Sequence, residues 1–448
     1  MVIEVNDEFF WDFKMAEFGP LPKDWQVIRL KEVVALERGV SWSKSDEATS
    51  GIGVLSIPNI REDGRLDLTP RVRILKRIPP EKWITQGDVL LVGSSGSIQN
   101  VGRVGMVSYD ISEPLTYASF TVRARVNDSR MDQTFLLYLL RSPWVKFSTF
   151  SKRAADGKYN LQVQQLRNHL VPIPPLSEQR AIAHVLRTVQ RAKEATERVI
   201  QATQELKKSL MYYLFTYGSV PIEEAEKVPL KETEIGLVPE HWEVVRLGEV
   251  CLKPQYGFTE SATNQRVGPK FLRITDIQNS QVNWNTVPYC EISDELLKRY
   301  RLEPGDLLFA RIGATTGKTL LIRECPEAIF ASYLIRVRVN LNFLLPEFLF
   351  YFTQGNLYWS QINTAKGGRL KQGINIPVLS SLLVPLPPIS EQRIIARILE
   401  AVDKKLQVEE ARKQVLDALF NSLLHNLMTA KIRVKDLNLY NIDIIQRR

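Results

Sequence analysis

The sequence is poor in the residues and runs that mark secreted, metal-binding or membrane proteins. Of 448 residues only 3 are cysteine, Cys251, Cys290 and Cys325, and they stand far apart with no CxxC or His-x-Cys cluster beside them. That spacing excludes a disulfide framework and a cysteine zinc site, and it suits a reducing compartment. The 4 histidines, His169, His184, His241 and His425, are scattered singly, so each reads as structural or surface and no metal site is expected. No apolar run approaches the roughly 18 residues a membrane span requires. The amino terminus carries Glu4, Asp7 and Glu8 where an export signal needs a basic segment and then an apolar run. A cytoplasmic protein without membrane contact is expected.

Catalytic motifs are also missing. There is no Asn-Pro-Pro-Tyr or Asp-Pro-Pro-Tyr element of the kind an adenine methyltransferase uses to hold a flipped base. Gly313-Ala-Thr-Thr-Gly317-Lys318-Thr319 resembles a phosphate-cradling loop but is one residue short between its glycines. No catalytic residue is therefore assigned. What is present is an ordinary globular composition, 44% hydrophobic and 24% charged with 24 prolines, in a chain long enough for two or more domains. The net charge of +9 favours a polyanionic partner without naming one.

The informative feature is internal repetition. Gly19-Pro-Leu-Pro-Lys-Asp-Trp25 returns as Gly236-Leu-Val-Pro-Glu-His-Trp242, and Tyr117-Ala-Ser-Phe-Thr-Val-Arg123 as Phe330-Ala-Ser-Tyr-Leu-Ile-Arg336. The strongest match is Pro172-Ile-Pro-Pro-Leu-Ser-Glu-Gln-Arg180 with Pro385-Leu-Pro-Pro-Ile-Ser-Glu-Gln-Arg393. Each copy first alternates short apolar runs with Gly, Pro and polar turns, which reads as a curved mixed sheet, and adds a helix-like stretch at Asp132–Leu140 or Pro346–Phe352. A long helix follows, starting near Ser177 or Ser390, with Pro-Pro barring helix upstream and the serine as cap. Its apolar seam runs Ile182, Val185, Val189, Ala192, Ala195, Val199, Ala202, Leu206, Leu210, Leu214 in the first copy. In the second it runs Ile395, Ile398, Val402, Leu406, Val415, Leu419, Leu423, Leu427. Neither seam can be buried alone, so the helices are expected to pair and hold the sheet domains apart.

A duplicated variable domain followed by Pro-x-Pro-Pro-(Leu/Ile)-Ser-Glu-Gln-Arg and a long helix resembles the DNA specificity subunit of type I restriction-modification systems. The expected fold class is α+β: two similar mixed α/β target recognition domains separated by two long antiparallel coiled-coil helices, with an internal pseudo-twofold repeat. The expected spans are a leader at 1–18, recognition domains at 19–165 and 236–386, spacer helices at 166–217 and 387–430, a linker at 218–235 and a tail at 431–448. The resemblance implies binding of bipartite double-stranded DNA, one half-site per domain, together with two modification (methyltransferase) subunits and restriction (ATP-dependent translocase and endonuclease) subunits. It leaves this chain without a cofactor and places S-adenosylmethionine, ATP and magnesium in those partners. The rivals are an autonomous methyltransferase or endonuclease, which the missing motifs weaken, and a coiled-coil scaffold whose basic charge is incidental.

DNA contacts fall to loops carrying side chains that reach phosphates and base edges. In the first domain the candidates are Arg38, Ser41, Lys44, Ser94, Ser95, Ser97, Gln99, Asn100, Lys152, Arg153, Lys158, Tyr159 and Asn160. In the second they are Tyr256, Asn264, Gln265, Arg266, Arg311, Thr315, Thr316, Lys318, Lys366, Arg369, Lys371 and Gln372. Each taken singly also fits an ordinary solvated loop. Ser177, Glu178, Gln179 and Arg180, with Ser390, Glu391, Gln392 and Arg393, fit either a helix start or a duplicated docking point for partner subunits. Helix carboxylates such as Glu194, Glu197 and Glu409 read as solvated faces beside Lys and Arg.

Overall fold

A computed structural model describes residues 13–16, 19–278, 280–365 and 373–437. The chain divides into two compact units, one of residues 1–197 with 412–448, the other of residues 198–411. Each unit therefore combines a sheet domain with parts of both long helices, so the helices are not modules separate from the domains. No helix among the described residues is long and apolar enough to cross a membrane.

In the first unit the main sheet is antiparallel, in the order Val104–Met106, Val89–Val92, Thr121–Val126, Val34–Arg38. Val89–Val92 is buried at every position, which is why it reads as a continuous Val/Leu run and not as an alternation. Its Val89 and Leu91 enter the larger core with the helix Gln133–Arg141, while Leu90 and Val92 enter a smaller core with Leu55 and Tyr117. Asp132 caps that helix, accepting from the N–H groups of Thr134 and Phe135 at 2.9 Å. Gln26–Arg29 pairs antiparallel with Leu170–Ile173, so the start and end of the repeat meet just before Pro174-Pro175 and the helix.

The second unit repeats this plan. Its main sheet runs Gln255–Tyr256, Leu334–Val337, Leu307–Ala310, Thr319–Leu321, and Glu243–Arg246 closes against Leu383–Leu386. A parallel pair recurs in both units, Ile52–Leu55 with Leu115–Tyr117 and Lys270–Leu272 with Ala328–Phe330. The buried acid of each main sheet is paired in the same way, Asp88 with Arg125 at 2.6 Å and Asp306 with Arg338 at 2.5 Å. The repeat also starts earlier than the sequence suggests. Phe13–Ala16 forms a hairpin with Gly19–Pro22, and Leu230–Thr233 with Gly236–Pro239, so part of the expected leader and linker belongs to the repeated fold.

The long helices span Leu176–Tyr217 and Ile389–Met428. They begin one residue before Ser177 and Ser390, so these serines lie in the first turn and are not the caps. The expected seams hold only near the helix ends. Ile182, Val185 and Val189 are buried in the first unit's core, but Ala195, Val199, Ala202 and Leu206 are exposed. In the second helix Val415 is 67% exposed, and Leu416, Phe420 and Leu424 carry the burial one position further on, while Leu427 is buried as expected. In the first unit the burial is shared with the domain helix Gln133–Arg141, whose Tyr138 ring lies 6.2 Å from that of Phe420. Between the cores, charge pairs set the helix register. Lys193 meets Asp417 at 2.6 Å and Glu197 meets Lys413 at 3.2 Å in the first unit; Lys207 meets Asp403 at 2.6 Å in the second. In every pair a higher number on one helix goes with a lower one on the other, so the pairing is antiparallel. Glu197 also accepts from Arg65 at 2.7 Å, and Glu409 is 4% exposed beside Lys405. Neither is a solvated face.

Phe420 belongs to the last helix yet sits 1% exposed in the first unit's core. Phe420→Ala is expected to cost about 3–5 kcal/mol through lost contact and a cavity. Hydrogen exchange should then accelerate in Gln133–Arg141. Acceleration confined to residues near 420 would mean that the C-terminal helix does not complete that core.

Candidate nucleic-acid interface

The first unit gathers most of its candidates on one small sheet. Ser94–Ser95 pairs with Tyr159–Leu161, which pairs with Ser151–Arg153. This puts Ser95 opposite Tyr159, Ser94 and Lys152 opposite Asn160, and Arg153 opposite Tyr159. Lys152, Arg153 and Lys158 are exposed, and the guanidinium of Arg153 lies 5.9 Å from the Tyr159 ring. The hairpin turns at Gly157, whose φ of 83° is a left-handed conformation that glycine adopts without strain. Lys158 pairs with Asp156 at 3.3 Å, and the Lys158 N–H bond to that carboxylate helps hold it below its usual pKa. Ser97 and Gln99 are exposed and Asn100 half-buried at the far end of the same loop.

Arg38 ends the neighbouring main-sheet strand, exposed, and donates to the carbonyls of Leu161 at 3.0 Å and Ser119 at 3.4 Å. It thereby ties the returning hairpin to the sheet. Ser41 and Lys44 are exposed on the segment that follows, and the Ser41 carbonyl accepts from Lys76.

In the second unit Arg311 lies over the Tyr256 ring at 4.7 Å, and the Tyr256 hydroxyl accepts from Ile376 N–H at 3.1 Å. Thr315 is half-buried and Lys318 exposed in the adjoining turn. Thr316 does not fit a base contact: it is 3% exposed, and its hydroxyl donates to the Gly313 carbonyl at 2.7 Å. The glycine-rich segment is a turn between antiparallel strands Leu307–Ala310 and Thr319–Leu321, with no α-helix behind it to face a phosphate. Asn264, Gln265 and Arg266 are exposed on a separate loop. Lys366, Arg369, Lys371 and Gln372 lie outside the described residues.

The Ser-Glu-Gln-Arg segments turn out to be internal joints. Gln179 and Gln392 are fully buried, and their amides are spent on backbone. Gln179 accepts from Asp132 N–H at 2.9 Å and donates to the carbonyls of Arg130 and Pro174. Gln392 does the same with Leu345 N–H and the carbonyls of Phe343 and Pro387. Glu178 accepts from the Trp25 indole at 3.1 Å and from Arg433, which also bridges to Asp24. Burial pushes the Asp24 carboxyl up, but the Arg433 hydrogen bond and charge outweigh it and hold it below its usual pKa. Glu391 accepts from the Trp242 indole at 3.0 Å, from His241 and from Ser219 N–H. These four side chains are thus accounted for by bonds inside the unit, without a docking role. Ser177, Arg180, Ser390 and Arg393 remain exposed.

Among the described residues no group of three or more His, Cys, Asp or Glu side chains is placed to hold a metal ion. The cysteines are free, and burial pushes the Cys251 and Cys290 thiols up to about 11.

Two copies of one mixed-sheet domain, each completed by segments of two long antiparallel helices and each exposing a different polar loop set, define a duplicated recognition protein. The type I restriction modification DNA specificity domain matches residues 22–208 and again 239–418, and the chain belongs to this family. It is 28% identical to a putative type I restriction enzyme MjaX specificity subunit of Methanocaldococcus jannaschii, over 95% of this chain and 97% of that one. It is 25% identical to the EcoKI specificity subunit of Escherichia coli K12, over 93% and 90%. A solved S subunit of M. genitalium shares the fold with a TM-score of 0.60 at 15% identity, covering 89% of this chain and 95% of that one.

Gln179→Leu strands one N–H and two carbonyls in a buried joint and is expected to lower stability by about 3 kcal/mol. Ser177→Ala, two residues away and exposed, should change it by less than about 0.5 kcal/mol. Chemical denaturation of both variants checks the contrast; equal effects would make the serine a cap after all.

Proposed function

We propose that each unit reads one half of a bipartite double-stranded DNA sequence and that the two helices fix the spacing between the halves. The observation that carries this is the pairing of an invariant frame with different loops. In both units the loop after the main-sheet strand meets the returning chain, Leu161 N–H on the Gly93 carbonyl and Ile374 N–H on that of Arg311, each at 2.8 Å. The side chains displayed there differ between the copies, as they must if the two read different bases. Net positive charge supports attraction to the phosphate backbone. The helices suit a ruler because each is one unbroken element, the first having residues 176–197 in one unit and 198–217 in the other.

Two modification subunits would dock at the equivalent exposed positions Ser177 with Arg180 and Ser390 with Arg393, and restriction subunits would join through them. S-adenosylmethionine, ATP and magnesium are assigned to those partners. A coiled-coil scaffold would need none of the duplicated loop architecture.

Replacing residues 250–365 with the equivalent segment of a related subunit should change one half of the target and leave the other intact. Mapping methylated sites in cells that carry the complex reads this directly. A folded chimaera in which both halves change would contradict one reader per unit.

A further inference from the structure

The two units bring a guanidinium to the same place from different strands. Sheet register fixes the equivalence. Arg38 stands opposite Val122 in the first main sheet, and Tyr256 stands opposite Ile335 in the second. Gly93 and Arg311 each follow the next strand across, their N–H groups bonded to the carbonyls of Phe120 and Tyr333. The arginine therefore sits on the first of these positions in one unit and on the second in the other. Both reach one acceptor: Arg38 Nη1 donates to the Ser119 carbonyl and Arg311 Nη1 to the Ser332 carbonyl, each at 3.4 Å. These serines are themselves equivalent, bonded through N–H to the carbonyls of Val40 and Phe258, each at 2.8 Å.

The exchange is sterically coherent. A β carbon on Gly93 would meet Val122 Cγ2 at 3.0 Å and the Phe120 carbonyl at 3.2 Å, with Arg38 Nη1 in ordinary contact at 3.5 Å, so the first unit takes a side chain there only if Val122 gives by a few tenths of an ångström. In the second unit the place of Arg38 is taken by Tyr256, which supports Arg311 with its ring. The loops beside these arginines share almost nothing, Ser94-Ser-Gly-Ser-Ile-Gln-Asn100 against Ile312-Gly-Ala-Thr-Thr316. A group kept at one place by two different routes, amid loops that differ, answers to something both half-sites have in common. Bases differ between half-sites; phosphates do not.

We propose that Arg38 and Arg311 are equivalent phosphate anchors, one per unit, that bind a backbone phosphate of duplex DNA and contribute nothing to base choice. This rests on the reading of the chain as a bipartite DNA binder. The carbonyl bonds orient each guanidinium while leaving further N–H donors for an oxyanion, and the planar fork matches phosphate geometry. Contacts of this kind set register on the duplex without carrying sequence.

The test uses the full chain, with any subunits that co-purify, and two duplexes: one bearing the sequence wild type selects from a randomised library, the other with one half scrambled. A wild-type chain that shows no salt-dependent, selective binding would sink the wider reading before any variant is made. Given such binding, Arg38→Ala and Arg311→Ala should each weaken both duplexes by roughly tenfold. The preference between the duplexes should stay unchanged, and the slope of log affinity against log salt should become shallower by about 1. Arg38→Tyr combined with Gly93→Arg, which copies the second unit's arrangement, should recover the affinity and slope that Arg38→Tyr alone loses. A reduced preference for one half would make the arginine a base reader. Weaker binding with an unaltered slope would make it only a stitch between strands. Either result overturns the proposal, and both are read from the alanine variants even if the exchanged variant does not fold.

Discussion

Everything in this chain depends on a helix that cannot bury its own apolar face. Residues 176–197 need a partner, and the partner is not their neighbour in sequence but the stretch from Leu416 to Met428, nearly the end of the chain. The second unit solves the same problem with Met211, Leu214 and Phe215 against Ile395, Ala396 and Leu399. Each domain core is thus closed by a segment that the other repeat carries. The energetic consequence is coupling: a cavity made in one helix is felt by a sheet domain far away in sequence.

Polar groups then fix what hydrophobic burial leaves loose. Apolar stripes alone tolerate a slip along the helix axis, whereas Lys193 on Asp417 and Lys207 on Asp403 do not. At the domain end, the carboxylate and amide of Ser-Glu-Gln-Arg clamp the helix start to the domain's first tryptophan and to the backbone before the domain helix. Within each unit the helix is thereby fixed to the domain whose core it closes.

The repeat, the helix lengths to within a residue or two and the family were legible because they rest on patterns in single segments: Pro-Pro before a helix, Trp after a turn, a tetrapeptide occurring twice. The seam was legible where a domain core covers it, at Ile182, Val185, Val189 and Leu214. Away from the domain cores Val199, Ala202, Leu206 and Val415 stand exposed, and nothing in a three-and-four spacing records where a core ends. For Gln179 and Gln392 the sequence left a helix start and a docking point open, since the backbone partners of each amide come from elsewhere in the fold. Thr316 failed because a turn hydroxyl bonds within its own turn. The exchange of Arg38 with Arg311 was invisible, because matching arginines sit on positions that a linear comparison does not align.

One chain that reads two separate blocks of sequence at a set distance must impose that distance on the duplexes it binds. Selection of bound duplexes from a fully randomised library, using the full chain with its co-purifying subunits, tests it most directly. Two defined blocks should emerge, separated by a fixed number of positions at which any base is accepted. A single contiguous block, or two blocks recovered at many different separations, would contradict it.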